Sequence, residues 1–284
     1  MPPEQIQVAP LICEITAWLI FLIGVTCCLF IPFQSHIRKG QPLLPAIGTL
    51  QARPFTFVHA LPVIVLTGLF ALMAALQTSG DEKHITPAGC LLGVSICAGA
   101  GLFTIALCVL MTQKSLRAIF GSVGGCRWQT AIGKGFLYGF AALPVVALVW
   151  LAVKVVSDGL DLDMAQQNVF TWLQDPAFPL SVRMALIFFA VVVAPVNEEL
   201  LFRGILLPTL MKKRDFTFAV LLCSFYFALI HLHGPSLLPL MTLSVMLSAG
   251  YAATGSILTP IVMHAVFNLN AFLLFFANTT EPPV

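Results

Sequence analysis

The chain alternates long apolar blocks with short polar stretches, and eight of the blocks approach the roughly 20 residues a helix needs to cross a bilayer. They fall near 11–33, 56–77, 86–111, 135–156, 181–207, 216–233, 237–254 and 257–277. The sixth and seventh are short and are divided only by the stretch His233 to Ser236, so six to eight spans fit the pattern. The expected fold is all-α, a polytopic membrane protein of about eight transmembrane helices.

Charge between the blocks alternates in sign. Arg38, Lys39 and Arg53 lie in 34–55, Lys114, Arg117, Arg127 and Lys134 in 112–134, and Lys212, Lys213 and Arg214 in 208–215. The 157–180 loop instead carries Asp158, Asp161, Asp163 and Asp175 with no basic residue, and 78–85 holds Asp81, Glu82 and Lys83. Because lysine and arginine stay on the cytoplasmic side, eight spans with both termini outside are expected. The acidic loop also divides the chain into an N-terminal four-helix region, 1–156, and a C-terminal four-helix region, 181–277. The first has small-residue packing such as 93–101, with no assigned role. The second holds the ionisable and amide groups that lie deep in the membrane with a partner in reach. The two halves share no repeat, which weighs against an inverted-repeat transporter.

Composition narrows the class. With 59% of 284 residues hydrophobic and 9% charged, against roughly 25% charged in an average soluble domain, the chain is not a water-soluble globule. A net charge of +2 with no basic and aromatic cluster gives no reason to expect a nucleic-acid partner. The eight cysteines lie mostly in apolar runs without CxxC spacing and read as small core residues. The first apolar run follows no basic segment of a signal peptide and is expected to be retained as a transmembrane helix.

Three short segments carry candidate chemistry: Glu198 to Arg203 (EELLFR), Phe227 to His231 (FALIH) and His264 to Asn268 (HAVFN). Glu199 and Arg203 are four residues apart, so on a helix they can pair and offset part of each other's burial cost. Glu198 points elsewhere and has no partner on its own helix, which makes it the candidate functional carboxylate. His264 and Asn268 share a helix face. Glu198, 14 residues before Lys212, and His231, 17 after Arg214, should sit at similar depth, roughly 21–26 Å from the basic turn. His264, counted from Gly255, should lie at roughly 13 Å, a mismatch.

A buried carboxylate and an imidazole can take a proton from water and orient it, and an imidazole with a carboxamide can stabilise an oxyanion. Peptide hydrolysis without a serine or cysteine nucleophile is thus within reach of this set. The same groups could hold a divalent metal: zinc takes three protein ligands plus water in catalytic sites, which His231, His264 and either Glu198 or Glu199 would supply. No HExxH pattern is present. From the residues, a metal-free site and a zinc-dependent one both remain open.

These motifs resemble those of the intramembrane CAAX-protease and bacteriocin-processing family, which includes the type II CAAX prenyl endopeptidases. The family pattern EExxxR is matched by Glu198, Glu199 and Arg203, FxxxH by Phe227 and His231, and HxxxN by His264 and Asn268, with 255–268 similar to the family's lead into the third motif. The resemblance covers roughly 181–277. It implies an intramembrane endopeptidase acting on membrane-associated or lipidated peptides or proteins, with a cavity opening to the cytoplasmic side. Glu198 and His231 would activate water, His264 and Asn268 would form the oxyanion site, and Glu199, Arg203 and Phe227 would support them. The family has been described both as metalloproteases and as glutamate proteases. A bacterial inner membrane is the expected location.

Plainer readings apply elsewhere. His233 reads as interfacial; Glu14, Lys154 and Arg183 as span-end residues that snorkel; the aspartates of 157–175 as a solvated loop; Asn278 to Thr280 as a chance glycosylation match. Two other functions fit the composition: a non-catalytic scaffold or bacteriocin-immunity protein, and a proton-coupled transporter relaying protons through Glu198 and His231.

Overall fold

A computed structural model describes residues 15–16, 18–28, 44–78, 86–113, 120–122, 126–162, 164 and 167–278. Arg38, Lys39, Lys114, Arg117, Glu14, Asp81, Glu82, Lys83, Asp163 and Cys13 lie outside them. The helices are α1 (Trp18–Cys28), α2 (Ile47–Gln51), α3 (Phe57–Thr78), α4 (Pro87–Thr112), α5 (Trp128–Gly159), α6 (Asn168–Gln174), α7 (Leu180–Met211), α8 (Phe216–Leu229), α9 (Leu237–Thr254) and α10 (Leu258–Asn278). Each expected span overlaps one of these helices, the first, 11–33, lying partly outside the described residues. Five membrane-length segments, α4, α5, α7, α9 with its preceding turn, and α10, are long and apolar enough to cross a membrane; α1, α3 and α8 supply shorter apolar helices. The chain is a helical, polytopic membrane protein.

Local chemistry sets the helix ends. Thr86 caps α4 by accepting from the Gly89 amide at 3.1 Å, with Pro87 at the first turn, where its missing N–H costs nothing. Asp215 caps α8 by accepting from the Phe218 amide at 3.0 Å. Large apolar side chains such as Phe103, Leu110, Leu148 and Phe188 are exposed on the outside of the bundle, where hydrocarbon would meet them.

Close packing in the centre rests on glycine. A Cβ on Gly135 would stand 2.7 Å from Val262 Cβ, and one on Gly139 would stand 3.1 Å from Met263 Cα, so α5 and α10 approach nearly backbone to backbone. Both glycines lie one helical turn apart on the same face of α5.

The α9–α10 turn is itself buried. Gly255 takes a φ of 68°, and Gly255, Ser256 and Ile257 are all enclosed. Polar groups there are satisfied internally: Thr254 Oγ1 donates to Thr259 Oγ1 at 3.0 Å, and Thr259 Oγ1 donates to the Ala131 carbonyl at 3.0 Å. The segment around α2 covers this turn, the Ala46 amide donating to the Ala252 carbonyl at 3.0 Å. The depth counted for His264 therefore starts from a point already inside the protein.

Several local expectations are corrected. Arg53 is not a free loop charge; it is buried and donates to the Gly121 carbonyl at 2.6 Å. Arg183 does not snorkel but is buried, donating to the Asp175 carbonyl at 2.9 Å. The acidic loop contains the short helix α6, whose Phe170 stacks on Phe275 of α10 at 4.8 Å. The sixth span stops at Leu229 rather than 233, and Leu232 adopts a φ of 50°, the left-handed conformation that closes helices.

Gly135→Val is expected to prevent α5 and α10 from closing and to lower stability by about 1–3 kcal/mol, the usual cost of overpacking. Thermal unfolding in detergent measures this, with Gly133→Ala as control because its Cβ would enter open space. Equal midpoints for Gly135→Val and the native protein would mean that the crossing is not tight.

Candidate active site

The α7 rod is not uniform α-helix. Phe189–Val193 and Leu200–Leu206 are wound as π-helix, on either side of the α-helical Ala194–Glu199. Such widened turns recur at functional sites because they re-aim side chains. Pro195 contributes directly. In the i−5 register of the first π segment, its missing N–H leaves the Ala190 carbonyl without a backbone donor. Asn268 Nδ2 fills that vacancy at 2.7 Å, tying α10 to α7.

Glu199 and Arg203 pair as the spacing predicts, Arg203 Nη1 donating to Glu199 Oε1 at 2.8 Å, with neither side chain exposed. Arg203 Nη2 donates to both the carbonyl and the hydroxyl of Ser244 on α9, at 2.9 and 2.7 Å. Its guanidinium also lies 5.0 Å from the centre of the Phe227 ring on α8. One cation thus joins three helices. Gly204 admits Phe120 beside this point, since a Cβ there would lie 2.6 Å from the Phe120 ring.

His264 reaches both glutamates. Its Nδ1 is 3.0 Å from Glu199 Oε1, and its Nε2 is 3.9 Å from Glu198 Oε2. A carboxylate paired with arginine only accepts, so Nδ1 carries the proton that it donates to Glu199 and Nε2 is turned towards Glu198. Glu199 therefore does more than neutralise Arg203: it orients an imidazole.

His231 lies one turn past the end of α8, exposed, with Nδ1 2.7 Å from the Phe227 carbonyl. That carbonyl can only accept, which leaves Nε2 as the ring's acceptor. Phe227 is fully buried between the two imidazoles, with ring centres 4.9 Å from His231 and 5.9 Å from His264.

Glu198 and His231 line a single half-open cavity of about 290 Å³. Its remaining walls are mostly apolar and come from α3 (Leu66, Phe70), α4 (Cys97, Gly101) and α7 (Asn197, Leu201). The Glu198 side chain is 28% exposed, yet its Oε2 is buried with no hydrogen-bond partner among the described residues. Asn268 is not among the residues lining this cavity.

The structure thus links Glu199, Arg203, Phe227 and His264 by direct contacts, places Glu198 3.9 Å from His264, sets His231 on Phe227 and on Glu198's cavity, and engages Asn268 with the backbone of α7. Sequence reading missed Ser244 and Asn197. A serine pair four residues apart in apolar α9, Ser244 and Ser248, was the available signal for the first. The amide adjoining the glutamate pair was the signal for the second.

A metal fits these positions poorly. Among the described residues no three His, Cys, Asp or Glu side chains converge to hold an ion. His264 Nδ1 and Glu199 Oε1 are engaged with each other, and the Arg203 cation stands on that same oxygen.

Membrane-length helices that bury an ion pair and turn a second carboxylate into an apolar cavity beside an imidazole define a membrane-embedded polar site. Residues 180–270 match the family model described as type II CAAX prenyl endopeptidase Rce1-like. Over this stretch, which contains every candidate site residue, the chain is similar to that family. No curated protein and no solved structure matches the chain.

Arg203→Met leaves the Glu199 carboxylate unpaired in the core and is expected to destabilise the protein by about 3–5 kcal/mol. The double substitution Glu199→Gln with Arg203→Met should recover most of that loss, as read by thermal unfolding in detergent. A single variant as stable as the native protein would show that the pair is not what joins α7, α8 and α9.

Proposed function

We propose that the protein is an intramembrane endopeptidase that hydrolyses membrane-associated or lipidated peptides with a water activated by Glu198. The observation that carries the reading is Glu198 itself: an unpaired carboxylate oxygen, buried beside an apolar cavity that also presents His231, with His264 3.9 Å away. Leaving a carboxylate so poorly satisfied is costly unless it has work to do.

In the proposed reaction a Glu198 oxygen takes a proton from water while the water oxygen bonds to the scissile carbonyl carbon. His231 Nε2 accepts the second hydrogen and aims the water. Glu198 then returns its proton to the amide nitrogen as the C–N bond breaks, leaving an acid and an amine. His264, fixed through Nδ1 by Glu199, donates to the developing oxyanion from Nε2 when both nitrogens carry protons. Arg203 holds Glu199 in place, and Asn268 holds the helix that carries His264. Apolar walls fit a substrate that arrives from, or is anchored in, the membrane.

Purified protein in lipid nanodiscs, incubated with a pool of prenylated and membrane-spanning peptides, should generate new termini readable by mass spectrometry. Glu198→Gln should lower the rate by about 100- to 10,000-fold, the span of a general base. His264→Ala should lower it by about 100- to 1,000-fold, as for an oxyanion donor. Activity abolished by a chelator and restored by zinc would replace this mechanism with a metal-dependent one. No cleavage of any peptide would favour the scaffold or proton-transport functions instead.

A further inference from the structure

Asn197, the residue before the glutamate pair, lies outside all three motifs and outside the proposed reaction steps, yet its setting is unusually specific. Its side chain lines the same cavity as Glu198 and His231. It rests directly on Gly101 of α4: a Cβ at that position would collide with Asn197 Nδ2, Oδ1 and Cγ. Asn197 Oδ1 is buried and has no hydrogen-bond partner among the described residues. The Thr67 hydroxyl, also at the cavity, is already satisfied by the Val63 carbonyl at 2.7 Å and by Tyr226 Oη at 2.8 Å. Asn197 and Glu198 are therefore the cavity residues with a buried side-chain acceptor left open, side by side on one turn of α7.

A carboxamide presents an acceptor and a donor next to each other, which is the complement of a backbone peptide unit. Burying an acceptor without a partner is unfavourable, and a bound peptide N–H would remove that penalty. We infer that Asn197 is a substrate-positioning residue: its carboxamide, seated on Gly101, accepts a backbone N–H of the peptide and so sets which carbonyl faces Glu198. The inference rests on the peptidase reading of the site. It also gives α4 a defined part in recognition, since any side chain at Gly101 would displace the carboxamide.

The test pairs protein and substrate changes. A cleaved peptide is resynthesised with single backbone amides replaced by esters, which removes one N–H at a time. In the native protein one ester position should raise KM by about 3- to 10-fold, the range of one neutral hydrogen bond. Asn197→Leu should raise KM by a similar factor with little change in kcat, and the ester at that position should then cost nothing more. Gly101→Ala, on a different helix, should reproduce the effect, and Asn197→Gln should restore part of it. An ester pattern unchanged by Asn197→Leu, or unchanged KM in that variant, would overturn the inference while leaving the peptidase reading intact. Binding of the same peptides to Glu198→Gln, with and without Asn197→Leu, separates the two ideas. Weaker binding in the double variant without any cleavage by the native protein would sustain the role of Asn197 and sink the hydrolase. Neither binding nor cleavage would sink both.

Discussion

The Arg203–Glu199 ion pair is the constraint around which the rest of the site is built. Two opposite charges with no exposure to solvent depend on well-placed neighbours, which here engage Arg203 Nη2 and Glu199 Oε1 while Arg203 Nε and Glu199 Oε2 have no hydrogen-bond partner among the described residues. Those neighbours are Ser244 on α9, the Phe227 ring on α8 and His264 on α10. Satisfying one pair therefore fixes the relative positions of four helices. His264 is held because Glu199 is held, and Glu198, one residue earlier, is left facing the cavity.

Backbone irregularity does comparable work. Two π segments bracket the glutamates, and Pro195 removes a donor from the first of them. In water a spare carbonyl would be solvated; inside a bundle it must find a side chain. Asn268 supplies it, so a defect in one helix becomes a specific tie to another.

Much of this was legible from residues alone. Eight apolar blocks gave the helices because membrane spans are long and strongly biased in composition, and the spacing of Glu199 and Arg203 gave their pairing. The placement of His264 was not legible. Counting from Gly255 assumed an exposed turn, whereas Thr254, Thr259 and the Ala131 carbonyl satisfy one another in a turn that protein encloses. The burial of Arg53 and Arg183 was not legible either, because a basic residue in a loop or at a span end shows its setting only once its backbone acceptor, Gly121 or Asp175, is in place. The π windings, too, leave no periodic trace short enough to read. Cys97 and Gly101 gave no hint that α4 walls the cavity, because small residues in a membrane helix serve packing in general.

The buried α9–α10 turn bears on how the protein is assembled over time. Its hydrogen bonds are completed by the Ala131 carbonyl, and its cover by the Ala46 amide, groups separated from it by more than a hundred residues of chain. Contacts so distant in sequence form late, because the intervening chain must be ordered before they are rewarded. During synthesis the hairpin that carries His264 follows the segments that hold Ala46 and Ala131, so these contacts join it to chain made earlier. Glu198, His231 and His264 thus come together only when α7, α8 and α10 have packed, and an incompletely inserted chain lacks the assembled polar site.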